Sequence, residues 1–218
     1  MLRNGGRLFG RIKRWYMQVD KIEKYIIEAG SDNVSVFGGT YEGGVNCQQV
    51  PDELAACIYD ILNTGIRVVS FLEIGSASGG TAFLINHFFK PEKVVLIDNN
   101  LHWKAPLRST VLEGIEREEI IGNSTSDYVI KEALGHAPYD IVIIDGDHSY
   151  EGVKADVENY SPMLSVGGFL LFHDTDLDQW GVGAVIKELK QDKHLRFLNE
   201  YKSKKRTPLG LAVFQREI

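Results

Sequence analysis

Carboxylate and imidazole side chains follow strand-like apolar runs in this sequence. In the clearest case, the run Ile-Val-Ile-Ile at 141–144 is followed by Asp145, Asp147 and His148. Four consecutive branched apolar residues are typical of a strand that is buried on both faces of a parallel sheet. Charged groups are costly to bury without partners, and ligands of open α/β sheets bind at the carboxyl ends of the strands. We therefore expect chemistry where this strand ends.

Three other apolar runs end in the same way, at residues 72, 97 and 172. The polar side chains that follow them are Glu73, Asp98, His173 and Asp174. Because parallel strands end at one edge of their sheet, these groups are predicted to lie close to Asp145. Four strands that each deliver a carboxylate to one edge indicate a binding site.

The spacing of apolar residues predicts the elements that position these groups. Spacings of three and four predict a first helix over 8–28, and Pro51 followed by two acids predicts a second helix that ends near residue 63. Strands are then predicted over 66–74, 93–98, 117–122, 139–145 and 167–174. Helices are predicted between and after them over 79–89, 103–115, 125–134, 150–164 and 181–192. This alternation predicts a doubly wound α/β sheet, mostly parallel, with helices on both faces. A hairpin-like antiparallel pair, 195–201 and 209–214, closes the chain.

Composition excludes several classes of protein. The 218 residues are 44% hydrophobic and 25% charged, and the net charge of −6 comes without a long basic block. These values fit a globular protein and argue against nucleic acid or a membrane as a partner. Cys47 and Cys57 are too few for a disulfide framework and fit a reducing compartment. With no apolar run near ~20 residues and no signal-peptide core, we expect a soluble cytoplasmic protein.

The pattern divides the chain into an N-terminal extension, 1–50, and a domain over 51–218. The extension holds the first helix and a Gly-rich loop, 37–44, which is followed by Gln48 and Gln49. This loop fits either a lid over a bound ligand or a surface linker, and the sequence leaves both open. Trp180 is as well suited to line a pocket for a substrate as to pack in the core.

A glycine-rich turn joins the first sheet strand to its helix at 71–81. Gly75 permits a tight turn, and Gly79 with Gly80 is expected to let a ligand approach backbone N–H groups at the helix N-terminus. A dinucleotide fingerprint requires G-x-G-x-x-G, but Ala77 occupies the second glycine position, and no Walker lysine follows. The turn therefore disfavours a nicotinamide dinucleotide and a phosphate-binding loop.

Two acids flank this turn in the predicted sheet. Asp98 lies 23 residues beyond Gly75 and suits acceptance of two ribose hydroxyls, or else caps a helix. Glu73 fits either a ligand ammonium group or the amides of its own loop. The residues leave both alternatives open.

The ordered set of motifs resembles the class I S-adenosylmethionine-dependent methyltransferases. The resemblance rests on E-x-G-x-x-x-G after the first strand, an acid ending the second and an Asp ending the fourth, and it covers about residues 51–218. The segments 144–156 and 167–174 are similar to a narrower group: catechol O-methyltransferase-like enzymes, macrolide-sugar O-methyltransferases, and proteins named for cephalosporin hydroxylase or rhamnosyl O-methyltransferase. The resemblance implies a Rossmann-like sheet with an antiparallel C-terminal strand.

The resemblance also implies roles for individual residues. For the cofactor, S-adenosyl-L-methionine, it implies Glu73, Gly75, Ser76, Ser78, Gly79, Asp98, Ser124 and Asp145. For a divalent cation such as Mg²⁺ it implies Asp145, Asp174 and Thr175. Relatives carry Asn or Asp where this chain has Thr175, so Asp176 is the other candidate for the third ligand. His148 corresponds to the general base, and its ordinary pKa of about 6.5 suits that role. The alternative for His148 is to cap or orient the following helix, and His173 fits a packed or supporting histidine.

The expected function is methyl transfer from S-adenosylmethionine to a hydroxyl of a small molecule such as a sugar or polyketide glycoside. Two alternatives remain. One is a nicotinamide-dependent oxidoreductase, and the other is a cofactor-binding protein without catalysis. The first helix has an apolar face that packs on its own core or on a second copy of the chain, so a homo-oligomer stays open.

Overall fold

The computed structural model describes residues 5–31, 44–177 and 181–217, with side chains described from residue 18 onward. The helices are α1 Gly5–Gly30, α2 Pro51–Asn63, α3 Gly80–Phe89, α4 Arg108–Val111, α5 Asp127–Gly135, α6 Tyr150–Tyr160 and α7 Val182–Leu189. The strands are β1 Ser70–Ile74, β2 Lys93–Asp98, β3 Glu118–Ile121, β4 Tyr139–Ile144, β5 Leu164–His173, β6 Leu195–Tyr201 and β7 Leu211–Arg216. None of the described helices combines the length and the apolar character needed to cross a membrane.

The strands form one seven-stranded sheet in the order β3-β2-β1-β4-β5-β7-β6. Neighbours from β3 to β5 run parallel, and β7 lies antiparallel between β5 and β6. The predicted fold class is therefore confirmed, including the antiparallel C-terminal pair. The strand order reverses between β1 and β4, which is the switch point where α/β sheets bind their ligands.

Two apolar cores cover the two faces of the sheet. Alternate residues of β4 enter different cores: Ile141 and Ile143 pack with the helices α1 to α3, and Val142 and Ile144 pack with α5 to α7. Because both faces are buried, every position of the strand interior is apolar, which explains the continuous apolar runs of the sequence.

The N-terminal extension shares the first of these cores. Val19, Ile22 and Ile26 of α1 are buried in the same cluster as Leu54 and Ile58 of α2. The described part of the extension is thus packed onto the sheet layer through α2. The division of the chain at residue 50 stays a prediction.

The helix predicted near 103–115 is present but shorter than predicted. The structure has a 3₁₀ turn over Ala105–Leu107 and the single turn of α4. Pro106 lacks an N–H group, and Thr110 and Val111 are β-branched, so a long helix is disfavoured here. Gly114, with a φ of 75°, follows. This short element faces the glycine turn.

Candidate active site

A cavity of about 580 Å³ lies at the carboxyl ends of the parallel strands. Six of the residues proposed from the sequence line it: Gly75, Asp98, Ser124, Asp145, His148 and Asp174. The other five do not: Glu73, Ser76, Ser78, Gly79 and Thr175. The reversal of strand order therefore brings the ends of β1, β2, β4 and β5 together around one space, as the acid-ending strands predict.

The lining of this cavity is acidic. Its charged and titratable members, among the described residues, are Asp98, Asp145, Asp147, Asp174, His102, His148 and His173. Neither Lys nor Arg belongs to this described lining. A surface with carboxylates and no fixed cation favours a ligand that carries positive charge over an anionic one.

Gly75 lets the turn after β1 lie against the end of β4. Its φ is +85°, and a Cβ there would overlap the Asp145 carbonyl oxygen. Ala77, two residues later in the same turn, also has a left-handed backbone, with a φ of 41°. Such a backbone is unfavourable for a residue with a Cβ, so the surrounding contacts must hold it.

Gly79 and Gly80 lie against neighbouring segments of the chain. The space beside Gly80 is filled by protein, because a Cβ there would lie 2.6 Å from the Cys47 Cα atom. A Cβ on Gly79 would lie 2.8 Å from Leu112 Cδ1. These glycines therefore admit neighbouring segments of the chain, and the approach of a ligand to their backbone N–H groups stays a prediction.

Asp98 is held by its own loop and by a buried arginine. Its Oδ2 accepts from the Ala77 amide at 2.7 Å, and its Oδ1 accepts from the Asn100 amide at 2.6 Å. Arg108 pairs with Asp98 across 3.1 Å and also donates from Nε to the Ala77 carbonyl at 2.9 Å. The acid therefore fixes its own loop and also borders the cavity, and its binding of a ribose stays a prediction.

Two buried polar groups behind the glycine turn lack hydrogen-bond partners within the described residues. They are Glu73 Oε2 and Ser76 Oγ. Burial, together with the charge of Asp145, raises the pKa of Glu73 well above its ordinary value. A buried oxygen without a hydrogen-bond partner calls for an explanation, and the ammonium group of a ligand would suit both atoms.

Four titratable groups meet where β4 and β5 end. His148 Nε2 lies 3.2 Å from Asp145 Oδ1 and 3.4 Å from Asp174 Oδ2. His173 Nδ1 lies 3.2 Å and 3.1 Å from the same two oxygens. The ligand atoms of Asp145, His148 and Asp174 all lie within 4.8 Å of one another, a spacing that a metal ion could bridge. Asp174 also has a φ of 59°, a conformation that non-glycine residues adopt mainly where function or packing demands it.

Opposite charges set the pKa values in this cluster. Burial alone would raise the pKa of Asp145, but the charge of His173 and the hydrogen bonds of both imidazoles hold it well below its ordinary value. Burial would lower the pKa of His173, yet the two carboxylates raise it to about 10. For His148, burial is likewise outweighed by Asp145 and Asp174, and its pKa is raised. The imidazoles are thus stabilised in their protonated form.

Both candidates for a third metal ligand are engaged elsewhere. The Thr175 hydroxyl donates to Glu200 Oε1 at 2.9 Å, and Asp176 pairs with Lys202. Thr175 would have to leave Glu200 to reach the cluster. In the arrangement described, His148 lies nearest to completing a set with Asp145 and Asp174.

The start of α6 is capped by residues other than His148. The Ser149 hydroxyl accepts from the Gly152 amide at 3.1 Å, and Asp147 Oδ1 accepts from the Ser149 amide at 2.9 Å. A Cβ on Gly152 would lie 2.5 Å from Asp147 Cγ. Asp147, which had no predicted role, therefore holds this turn, and the imidazole of His148 is not required as a cap.

Sequence reasoning missed two residues that hold the site. Gln49 Nε2 donates to Asp145 Oδ2 at 2.9 Å, and Arg108 pairs with Asp98. No local sequence pattern marks either residue, because Gln49 is 96 positions from Asp145 and Arg108 is 10 positions from Asp98. The glycine-rich loop over 37–43 and Trp180 lie outside the described residues.

A family model described as "Methyltransferase domain", Methyltransf_24, matches residues 72–175. Residues 72–175 are therefore similar to a methyltransferase domain. The match covers the strands β1 to β5 and all the acid-bearing strand ends, so the resemblance to class I methyltransferases is confirmed.

Solved structures of low sequence identity share the fold of this methyltransferase domain. An rRNA methylase from Streptococcus thermophilus is 17% identical with a TM-score of 0.59, covering 76% of this chain and 97% of that one. The O-methyltransferase TomG from Streptomyces achromogenes, in complex with SAM, is 17% identical with a TM-score of 0.55, covering 72% and 77%. MycE of the mycinamycin pathway, in complex with Mg, SAH and mycinamycin VI, is 18% identical with a TM-score of 0.55, covering 74% and 49%.

A curated relative, the uncharacterized protein y4gI of Sinorhizobium fredii, is 48% identical over 45 residues. That match covers 21% of this chain and 5% of the relative. At these identities the solved structures establish the fold, while the methyl acceptor has to be argued from the site.

Proposed function

We propose that this chain transfers the methyl group of S-adenosylmethionine to a hydroxyl of a small molecule, such as a sugar or polyketide glycoside, with a divalent cation such as Mg²⁺. The observation that carries the proposal is the convergence of Asp145, His148 and Asp174 within 4.8 Å beside the acidic cavity of a methyltransferase domain. A cation site, a proton acceptor and a cofactor cavity are then neighbours, as transfer to oxygen requires.

The charges of the cavity favour this cofactor over a nicotinamide dinucleotide. A pyrophosphate needs free backbone amides at the N-terminus of α3. Here the Ala77 amide donates to Asp98, and the Gly79 amide donates to the Ser76 carbonyl at 2.6 Å. When bound, S-adenosylmethionine supplies a cationic methyl donor, which suits a lining of four aspartates. Asp98 would accept from the ribose, and Glu73 with Ser76 would meet the methionine end.

The two carboxylates suit a hard divalent cation. Asp145 and Asp174 offer oxygen atoms in one small space, and oxygen is the donor that Mg²⁺ prefers. A cation held there would lower the pKa of an acceptor hydroxyl and orient it. Support from the comparisons is the Mg in the MycE complexes.

His148 is the residue that would receive the proton of the acceptor. To accept it, Nε2 would have to be neutral, a form that a cation held by Asp145 and Asp174 would favour by opposing the carboxylate charges. The proton would then move to Nε2 as the oxygen–methyl bond forms and the sulfur–methyl bond breaks. The carboxylates of Asp145 and Asp174, 3.2 and 3.4 Å away, then stabilise the imidazolium that results. Because His148 lies between two carboxylates, its imidazole has a higher proton affinity than an isolated one.

Isothermal titration calorimetry with S-adenosylmethionine tests the cofactor. We expect saturable binding and a rise in melting temperature, because a ligand at a hundred times its Kd stabilises the native state by about 2.7 kcal/mol. The absence of both at millimolar concentration contradicts the proposal. An NADH fluorescence change on mixing would favour the oxidoreductase instead.

Transfer itself is tested with labelled S-adenosylmethionine and a panel of hydroxylated small molecules, with products identified by mass spectrometry and NMR. A product methylated on oxygen supports the proposal, and one methylated on nitrogen or carbon contradicts it. The alternative, a cofactor-binding protein without catalysis, is supported by the contacts of Thr175 with Glu200 and of Asp176 with Lys202, which hold both side chains away from the cluster. It predicts cofactor binding with no transfer to any member of the panel.

A further inference from the structure

Gln49 is a buried amide that reaches the central carboxylate of the site. The residue is 1% exposed, and its Nε2 donates to Asp145 Oδ2 at 2.9 Å across 96 positions of sequence. Asp145 Oδ1 faces the two imidazoles at 3.2 Å each. The two oxygens of Asp145 are thus divided between two sets of partners, and Gln49 holds the one that faces away from the histidines.

The segment that carries Gln49, residues 44–50, is fixed at both ends; we call it the strap. On one side, the Val45 amide donates to the Ala29 carbonyl at 2.9 Å, which ties the strap to the end of α1. On the other side, α2 begins directly after it, at Pro51. Gln49 therefore stands on a held backbone and not on a free surface loop.

The strap also lies against the glycine turn of the methyltransferase domain. The Ser78 hydroxyl donates to the Asn46 carbonyl at 3.0 Å, and Gly80 has no side chain where the Cys47 Cα passes. The turn and the strap thus fit each other closely, and a shift of either one moves Gln49 relative to Asp145. The close contact with Cys47 explains why position 80 needs a glycine.

We infer that Gln49 is a positioning residue, which sets the orientation of the Asp145 carboxylate so that Oδ1 faces His148 and His173. The inference rests on the proposed function, since it assigns to Asp145 a place in the cation site. An amide suits this task because it donates a hydrogen bond and brings no charge that would compete with a bound cation. Groups that orient a metal-binding side chain in this way strongly affect metal affinity.

The main test compares Gln49→Met with the wild type. Methionine keeps the length of the side chain and removes the donor. The control is Gln191→Leu, because Gln191 is exposed just beyond α7. The readouts are Mn²⁺ affinity, followed by electron paramagnetic resonance without cofactor, and the imidazole nitrogen shifts of His148 and His173 at one fixed pH.

We expect Gln49→Met to fold, to bind Mn²⁺ about 10- to 100-fold more weakly, and to shift the imidazole signals, while the control matches the wild type. Mn²⁺ affinity within twofold of the wild type together with unchanged imidazole signals would overturn the inference. If Gln49→Met does not fold, Gln49→Glu keeps the shape but places two carboxylates in contact, so unchanged imidazole signals in that variant overturn it too.

Failure of the proposed function gives a different pattern. If the wild-type protein binds neither Mn²⁺ nor S-adenosylmethionine, the proposed function is contradicted. The imidazole shifts then still decide whether Gln49 orients Asp145.

Discussion

The cavity has two acidic ends that are built in different ways. At the end near β2, one carboxylate, Asp98, is held by a buried guanidinium and two backbone amides. At the end near β4 and β5, Asp145 and Asp174 share two imidazoles, and Asp145 also accepts from a side-chain amide. The first end has partners of fixed charge, and the second has titratable imidazole partners whose pKa values the carboxylates raise.

This difference matches the two tasks of the proposed enzyme. Binding a ribose needs a carboxylate of constant charge and direction, and arginine supplies a partner that is always protonated. Methyl transfer to oxygen needs a group that can accept a proton, and histidine is the side chain suited to that. The left-handed backbone at Asp174 adds strain at the second end, where strain is often found in active sites.

The largest effect should come from the proton-accepting end. We expect His148→Ala to lower methyl transfer by about 10²- to 10⁴-fold, the range typical of a general base, while S-adenosylmethionine still binds. Transfer is measured with an acceptor found in the panel, and Mn²⁺ affinity is measured alongside. Unchanged Mn²⁺ affinity identifies His148 as a base, whereas a parallel loss of affinity would make it a metal ligand. Turnover near the wild-type value would remove it from the mechanism.

The next effect should come from the end of fixed charge. Replacing Arg108 with Met leaves Asp98 buried without its cation and should destabilise the protein by about 3–5 kcal/mol, as for other broken buried pairs. Lys154→Met is the matched control, because Lys154 pairs with Glu188 on the surface, where water screens the pair, so this variant should lose much less stability than Arg108→Met. Urea unfolding measures both. Equal losses of stability in the two variants would show that Arg108 does not stabilise the end of the cavity near Asp98.

Local pattern was enough to predict the acid-bearing strands but not their partners. Apolar runs and the acid after each one place Asp98 and Asp145 at one sheet edge, because strand period and parallel topology fix where strands end. The contact of Gln49 with Asp145 depends on how the extension folds back, and no local spacing encodes it. Thr175 illustrates the same limit, since Glu200, a residue of β6, decides where its hydroxyl points.

Another buried acid sharpens the comparison, because neither an arginine nor an imidazole in the described part of the chain pairs with it. Asp156 is 0% exposed, and both of its oxygens lack a well-formed hydrogen bond within the described residues. Burial raises its pKa to about 6, with the nearby Ser124 side chain only partly opposing the shift. Because the folded-state pKa lies above the unfolded value, Asp156 favours folding below about pH 4 and loses that contribution as pH rises through about 6.

The variant Asp156→Asn should therefore flatten the dependence of stability on pH between about 4 and 6. Between pH 4 and pH 7 the wild type should lose about 1–3 kcal/mol of folding stability that the variant keeps. This is the linkage value for a pKa shift of this size. Urea unfolding at both pH values measures the change. The control is Asp192→Asn on the surface, where Asp192 is exposed. A parallel profile for wild type and Asp156→Asn would show that the acid is satisfied in the folded state.

The smallest effect concerns the backbone that Asp98 holds in place. Ala77 has a φ of 41°, and its amide is bound by the acid at 2.7 Å. Glycine relieves a left-handed strain of about 1–2 kcal/mol but loses about 0.4–1 kcal/mol through the entropy of the unfolded chain. Ala77→Gly should thus stabilise the protein by about 0.5–1 kcal/mol, whereas Ala184→Gly in α7 should destabilise it by about 0.5–1 kcal/mol. Urea unfolding of both variants decides the sign. If Ala77→Gly also destabilises, the strain at the turn is already relieved by Asp98 and Arg108, and the rigidity of this end lies in the ion pair alone.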